Sequence, residues 1–184
     1  MVTISPSERL LILACSATKK PGLKYMPAIE RYDGPLWRTL RTIDPHGRKA
    51  KVAFLSAKLG FRAANTPIEI YDARMTASMA DAMKAGNLGT RWPRPRTQAR
   101  VMLEGEHPGM HIYSLTGGTP RTVFRDVALV GGHLYIDVMR HLIDLFRDHG
   151  YIASDAEVQE INGPIGIMRQ DLRLWLDGEY QEES

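Results

Sequence analysis

Cysteine is almost absent. Cys15 is the only one in 184 residues, which excludes an internal disulfide and a paired-cysteine metal site and suits a reducing cytoplasm. Long apolar runs are missing as well. The run Leu10–Cys15 is too short to span a bilayer and has no basic leader in front of it, so a first strand is expected there. Charge of one sign is scarce: 24 Lys and Arg face 21 Asp and Glu, and a formal net charge of +3 is too mild to name a partner. His133 has no second histidine or cysteine at ligand spacing, since His141 is eight residues on, so a zinc site is not expected there. With 43% hydrophobic and 24% charged residues, the composition is that of a folded globular chain. Its length suits one domain, residues 1–184.

Three apolar stretches, Leu10–Cys15, Lys51–Ala57 and Val127–Val130, read as strands covered on both faces of a largely parallel sheet. Between the first two, Leu36, Leu40 and Ile43 have helical spacing behind Asp33-Gly34-Pro35, a helix start. Leu134–His149 puts Leu134, Val138, Leu142 and Leu145 on one helix face, closed by His149-Gly150. A further strand is expected within Tyr151–Ile161, and a last helix over Gly166–Asp177 ahead of a frayed acidic tail at 179–184. Strands alternating with helices imply a three-layer, Rossmann-like α/β fold whose mostly parallel sheet has four to five strands. Residues 87–108 hold glycines, prolines and arginines with few periodic apolar positions, so a basic surface loop is expected. Met75, Met79 and Met83 read as the core stripe of a helix, and Gly117-Gly118 and Asn162-Gly163-Pro164 as turns.

Polar residues gather where the apolar strands end, the place where open α/β sheets bind ligands. After the first strand come Cys15, Ser16, Thr18, Lys19 and Lys20, suited to a phosphate or a base edge, though without Walker glycine spacing. After the second come Ser56, Lys58 and Gly60. Asp72, behind Tyr71, has two readings: cap of a helix starting near Thr76 or Ser78, or a base or electrostatic stabiliser in the cleft. Gly131 and Gly132 join the third strand to its helix ahead of His133, Tyr135 and Asp137, and paired glycines there let a ligand approach backbone N–H groups. Cys15 has no histidine partner in the sequence, which argues against nucleophilic catalysis. Arg91, Arg94, Arg96 and Arg100 surround Trp92, a pattern that suits phosphates and a stacked base, or else a solvated loop whose tryptophan packs on the body.

Taken together, LLILACSATKKP, AIERYDGPLWRTLR, FLSAKLGF, IEIYDARMT and VALVGGHLYIDVM resemble a family of small bacterial and phage proteins. That family is similar to the peroxide-stress DNA-binding proteins and to the small α/β domain attached to archaeosine synthases and tRNA-guanine transglycosylases. The resemblance runs from about Leu10 to Leu145 and implies a uracil-DNA glycosylase-like sheet in the company of base modification or excision. Cys15, Ser16, Lys19, Tyr32, Gly34, Ser56, Lys58, Gly60, Tyr71, Asp72, Gly131, Gly132 and Tyr135 match its pattern. The GxDPY and HPSP-type segments of the uracil-DNA glycosylases are missing, so their mechanism does not transfer.

The leading expectation is a DNA glycosylase that removes a modified base, with nucleic acid, DNA first, as partner, no membrane and no cofactor. Arg91, Trp92, Arg94, Arg96 and Arg100 would grip the strand. Cys15, Ser16, Lys19, Tyr32, Ser56, Lys58, Tyr71, Gly131, Gly132 and Tyr135 would line the pocket, with Asp72 catalytic and Asp33 in reserve. The alternatives are a non-catalytic DNA- or RNA-binding module and an enzyme of free nucleotides or nucleosides.

Overall fold

The computed structural model describes residues 4–95, 105–117 and 122–178. A 3-10 turn at Pro6–Glu8 leads into β1 (Arg9–Ala14), followed by β2 (Met26–Pro27), α1 (Ala28–Arg31) and α2 (Pro35–Ile43). Then come β3 (Lys51–Ser56), β4 (Gly60–Ala63), β5 (Pro67–Ile68), α3 (Ala77–Lys84) and α4 (Pro108–Leu115). The chain continues with β6 (Phe124–Val130), α5 (His133–Asp148), β7 (Ile152–Ile161) and α6 (Ile165–Asp177).

The central sheet runs β4-β3-β1-β6-β7, parallel except for the β3–β4 pair, and β2 pairs with β5 apart from it. β1 is continuously apolar because it lies mid-sheet with both faces covered; Leu10, Leu11, Ile12 and Leu13 have no exposed surface. Successive side chains alternate between two layers. Leu10 and Ile12, with Val127 and Leu129 of β6, face Ile136, Met139, Ile143 and Phe146 of α5 and Ala80 of α3. Leu11 and Leu13, with Phe54, Ala128 and Val130, face Trp37 and Leu40 of α2 and Leu172, Trp175 and Leu176 of α6. Each such apolar side chain stabilises the fold by about 1.5–3 kcal/mol relative to exposure. The result is the expected three-layer α/β architecture, and among the described residues no helix is long and apolar enough to cross a membrane.

Some local expectations change. Residues 87–108 are not loop throughout, since Trp92 bridges to Glu106 and Pro108 already opens α4, capped by the His107 ring accepting from Met110 N. β4 folds back on β3 as an antiparallel edge through a turn in which Gly60 has φ +72°. Met75 precedes α3 rather than lying in it, although it is buried in the same layer as Met79 and Met83. Arg96, Arg100, Gly118 and the tail 179–184 lie outside the described residues.

Candidate functional site

β1 pairs with β3 on one side and β6 on the other, so the chain leaves its C-terminal end at the point where strand order reverses. Open α/β sheets bind ligands in a crevice at such a point, here between the loops that follow β1, β3 and β6. Cys15 N donates to Leu55 O at 2.9 Å, carrying the ladder one residue past β1. The Cys15 sulfur then lies 3.4 Å from the Tyr135 hydroxyl, which the first turn of α5 brings over the strand ends.

Beside it, Tyr71 OH contacts both Ser56 Oγ, at 2.7 Å, and Tyr32 OH. Ser56 Oγ already accepts the N–H groups of Lys58 and Leu59, each at 3.1 Å. With both lone pairs engaged, its own proton goes to Tyr71. Burial, first among the causes, pushes the phenols of Tyr32, Tyr71 and Tyr135 well above the ordinary tyrosine range. All three are therefore neutral hydroxyl donors at physiological pH.

Lys19 enters the same place. Its Nζ donates to Ser16 O at 2.8 Å and stands 4.3 Å from the Tyr71 ring centre, with Lys58 Nζ 5.5 Å from that ring. Burial lowers the Lys19 pKa, while Cys15 and Asp72 oppose the shift. Asp72 is exposed, one residue beyond Tyr71. It does not cap α3: Thr76 does, its side chain accepting Met79 N at 3.2 Å. Asp72 has no hydrogen-bond partner among the described residues.

Asp33 is committed elsewhere. Its carboxylate pairs with Arg38 at 2.9 Å and Arg41 at 2.6 Å, and the Arg38 hydrogen bond holds its pKa below the usual carboxylate range. Arg41 also binds the carbonyls of Ile29 and Tyr32 at 2.7 Å, so Asp33 braces the turn into α2. Ser16 packs against Gly34, where a Cβ would collide with its Oγ.

The two junction glycines have different causes. A Cβ on Gly131 would lie 2.7 Å from the Ala14 Cβ, whereas one on Gly132 would meet nothing within 4 Å. Gly131→Ala should therefore destabilise the protein by about 1–3 kcal/mol. Gly132→Ala should leave stability nearly unchanged while narrowing the crevice. Thermal melts of both variants check this.

Trp92 lies on the opposite side of the sheet end. Its indole donates to Ala57 O at 2.9 Å and its side chain covers Gly60. The cavity beneath it, about 30 Å³ and lined by Leu55, Phe61, Met83 and Val138, has room for roughly one water-sized group and not a base. Arg91 donates to Gly105 O at 2.7 Å and Arg94 to Ala82 O at 3.3 Å. Of the two sequence readings of Trp92, packing on the body is the one observed.

A group not anticipated from sequence fastens the Trp92–Glu106 bridge to β4. His111 Nδ1 accepts Ala63 N at 3.0 Å, which leaves Nε2–H to donate to Glu106 at 2.5 Å; Arg62 lies 3.5 Å from the same carboxylate. Burial lowers the His111 pKa against the pull of Glu106, with Arg62 and His107 adding to the lowering. Folded His111 thus binds its proton less readily than the unfolded chain, so stability is full above about pH 6.5 and falls as the pH drops below it. Melting temperatures at pH 7.5 and 5.5 should differ more for wild type than for His111→Asn, whose carbonyl replaces Nδ1 as acceptor.

This end of the sheet thus brings together Cys15, Ser16, Lys19, Lys58, Tyr71 and Tyr135 above the fully buried Tyr32 and Ser56, with Asp72 one residue beyond Tyr71 and Gly131-Gly132 at the start of α5, and leaves Asp33 and Trp92 in structural contacts. No family model, curated protein or solved structure matches the chain.

Proposed function

We propose that the chain is an enzyme acting on a nucleobase in DNA, a glycosylase that removes a modified base. The observation that carries this reading is the combination of an exposed carboxylate, Asp72, which makes no hydrogen bond among the described residues and acts electrostatically on Lys19, with that partly buried ammonium and the neutral phenols at the sheet's ligand-binding end. A base read by donors of this kind has its ring acceptors satisfied in a site partly shielded from water.

As the bond between C1′ and the base nitrogen breaks, its electron pair leaves with the base. The Lys19 ammonium, its pKa lowered by burial, protonates that developing anion, and the Tyr71 and Tyr135 hydroxyls donate hydrogen bonds to it. Positive charge grows on the sugar, and the Asp72 carboxylate stabilises it and takes a proton from the water that adds to C1′. The products are a free base and an abasic sugar.

The test is incubation of the purified protein with DNAs carrying ordinary and hypermodified bases, read by mass spectrometry for released base and by alkaline cleavage for abasic sites. Released base with matching abasic sites is expected from at least one DNA. Intact DNA across the panel, with binding that weakens steeply as salt rises, would overturn the enzyme and favour a binding module.

A further inference from the structure

The hydroxyl protons at the ends of β1 and β3 have their directions fixed one by one. Ser56 Oγ accepts the N–H groups of Lys58 and Leu59 at 3.1 Å each, so no lone pair is left for a third donor. Its own proton goes to Tyr71 at 2.7 Å. Tyr32 has no exposed surface, and its hydroxyl meets those of Tyr71 and Ser56. A buried O–H without an acceptor is costly, and with Ser56 filled the Tyr32 proton goes to Tyr71 as well.

Tyr71 therefore accepts two hydrogen bonds and returns neither. Its own proton is left pointing away from both donors, toward Cys15, with which it also interacts. Tyr135 is arranged likewise from the other side: its oxygen accepts from the Met75 backbone, and its hydroxyl lies 3.4 Å from the Cys15 sulfur. Two O–H groups thus converge at a partly exposed thiol, which is a weak acceptor. An oxo oxygen has two lone pairs and accepts both protons, whereas an exocyclic amine turns its own protons against them.

We propose that Ser56 and Tyr32 are positioning residues that make Tyr71 a donor only, so that the crevice selects a base presenting an oxo oxygen to Tyr71 and Tyr135 and rejects one presenting an amine. The inference rests on the base-acting reading above and names its substrate class. In a base conjugated through an oxo group, part of the negative charge that grows as the bond to C1′ breaks falls on that oxygen, where the two donors meet it. Removing either positioning hydroxyl frees a lone pair on Tyr71, and the phenol oxygen then accepts from an amine.

The test measures how far free nucleobases protect Cys15, the sole cysteine, from a thiol reagent. The bases are taken in pairs that differ between oxo and amine at one ring carbon: hypoxanthine against adenine, and uracil against cytosine. In wild type the oxo member of at least one pair should protect at a concentration about tenfold lower than its amine partner, the scale of one hydrogen bond lost with a buried donor left unpaired. Tyr32→Phe keeps the ring that packs on Trp37 and Phe54, and in this variant the two members should protect about equally. Ser56→Ala, which frees the other lone pair, should do the same. A purely structural role for the two hydroxyls would weaken both members together and keep their ratio. Equal or better protection by the amine in wild type, or a ratio that survives both substitutions, overturns the selection; base release from the DNA panel then leaves the base-acting reading standing. Protection by none of the four bases overturns the selection too, and with no base released from the panel it overturns both.

Discussion

Asp126→Ala is expected to destabilise the protein by about 3–5 kcal/mol, because it strips the partner from a buried charge. Arg9 and Asp126 meet at 2.8 Å at the end of the sheet opposite the crevice, each about nine-tenths buried. Asp126 also accepts the Trp175 indole at 2.8 Å, and the Arg9 guanidinium lies 4.1 Å from the Trp175 ring centre. Arg9 then donates to the carbonyls of Trp175 and Leu176, closing the last turn of α6. Without the carboxylate, the guanidinium remains buried and an indole N–H loses its acceptor. For a chain of this size the melting temperature should drop by on the order of 6–20 °C. Asp177→Ala removes an exposed pair with Lys49 and should cost about 1 kcal/mol or less. A melt in which both variants lose the same amount would contradict the account.

Asp72→Asn is expected to separate stability from chemistry in the opposite sense. The side chain is exposed, makes no described hydrogen bond and leaves the α3 cap to Thr76, so the melting temperature should stay within the small range of ordinary surface changes. Base release should nevertheless fall by about 10²–10³-fold, the scale of losing one electrostatic stabiliser of a transition state. Because the effect lies on the transition state, the loss should appear in kcat with DNA affinity preserved. Release at the wild-type rate would remove Asp72 from the mechanism and leave Lys19 and the tyrosines as the charged and polar groups of the crevice.

The layers of the fold are legible in the sequence where burial is two-sided or strictly periodic. Leu10–Leu13 and Val127–Val130 could only be mid-sheet strands, and Pro35 at the first position of α2 fixes that helix start. The strand-end rule also names most of the crevice, since backbone topology alone brings Cys15, Ser56 and Gly131 to one edge.

Less local features escaped. β4 is four residues long, and its edge position depends on a glycine turn under Trp92, a contact 32 residues away in sequence that no periodicity reveals. The only buried residues of α4 are His111 and Ile112, too few for an apolar stripe, and its cap is a histidine ring. Asp33 reads as available until Arg38 and Arg41, three apart and so on one face of α2, turn toward it. Arg31 gave no signal of burial, because its partners are carbonyls, which every residue carries.

The measurement that bears most directly on the central claim, that the base is bound at the C-terminal ends of β1, β3 and β6, is the rate at which a thiol reagent labels Cys15. It is the sole cysteine and partly exposed in the crevice, so the signal has one source. Asp72→Asn protein saturated with DNA carrying the released base should label much more slowly than free protein, and at the free rate once that base has been excised from the DNA. Labelling at the free rate while the intact DNA is bound would contradict the account, because the base would then lie outside the crevice.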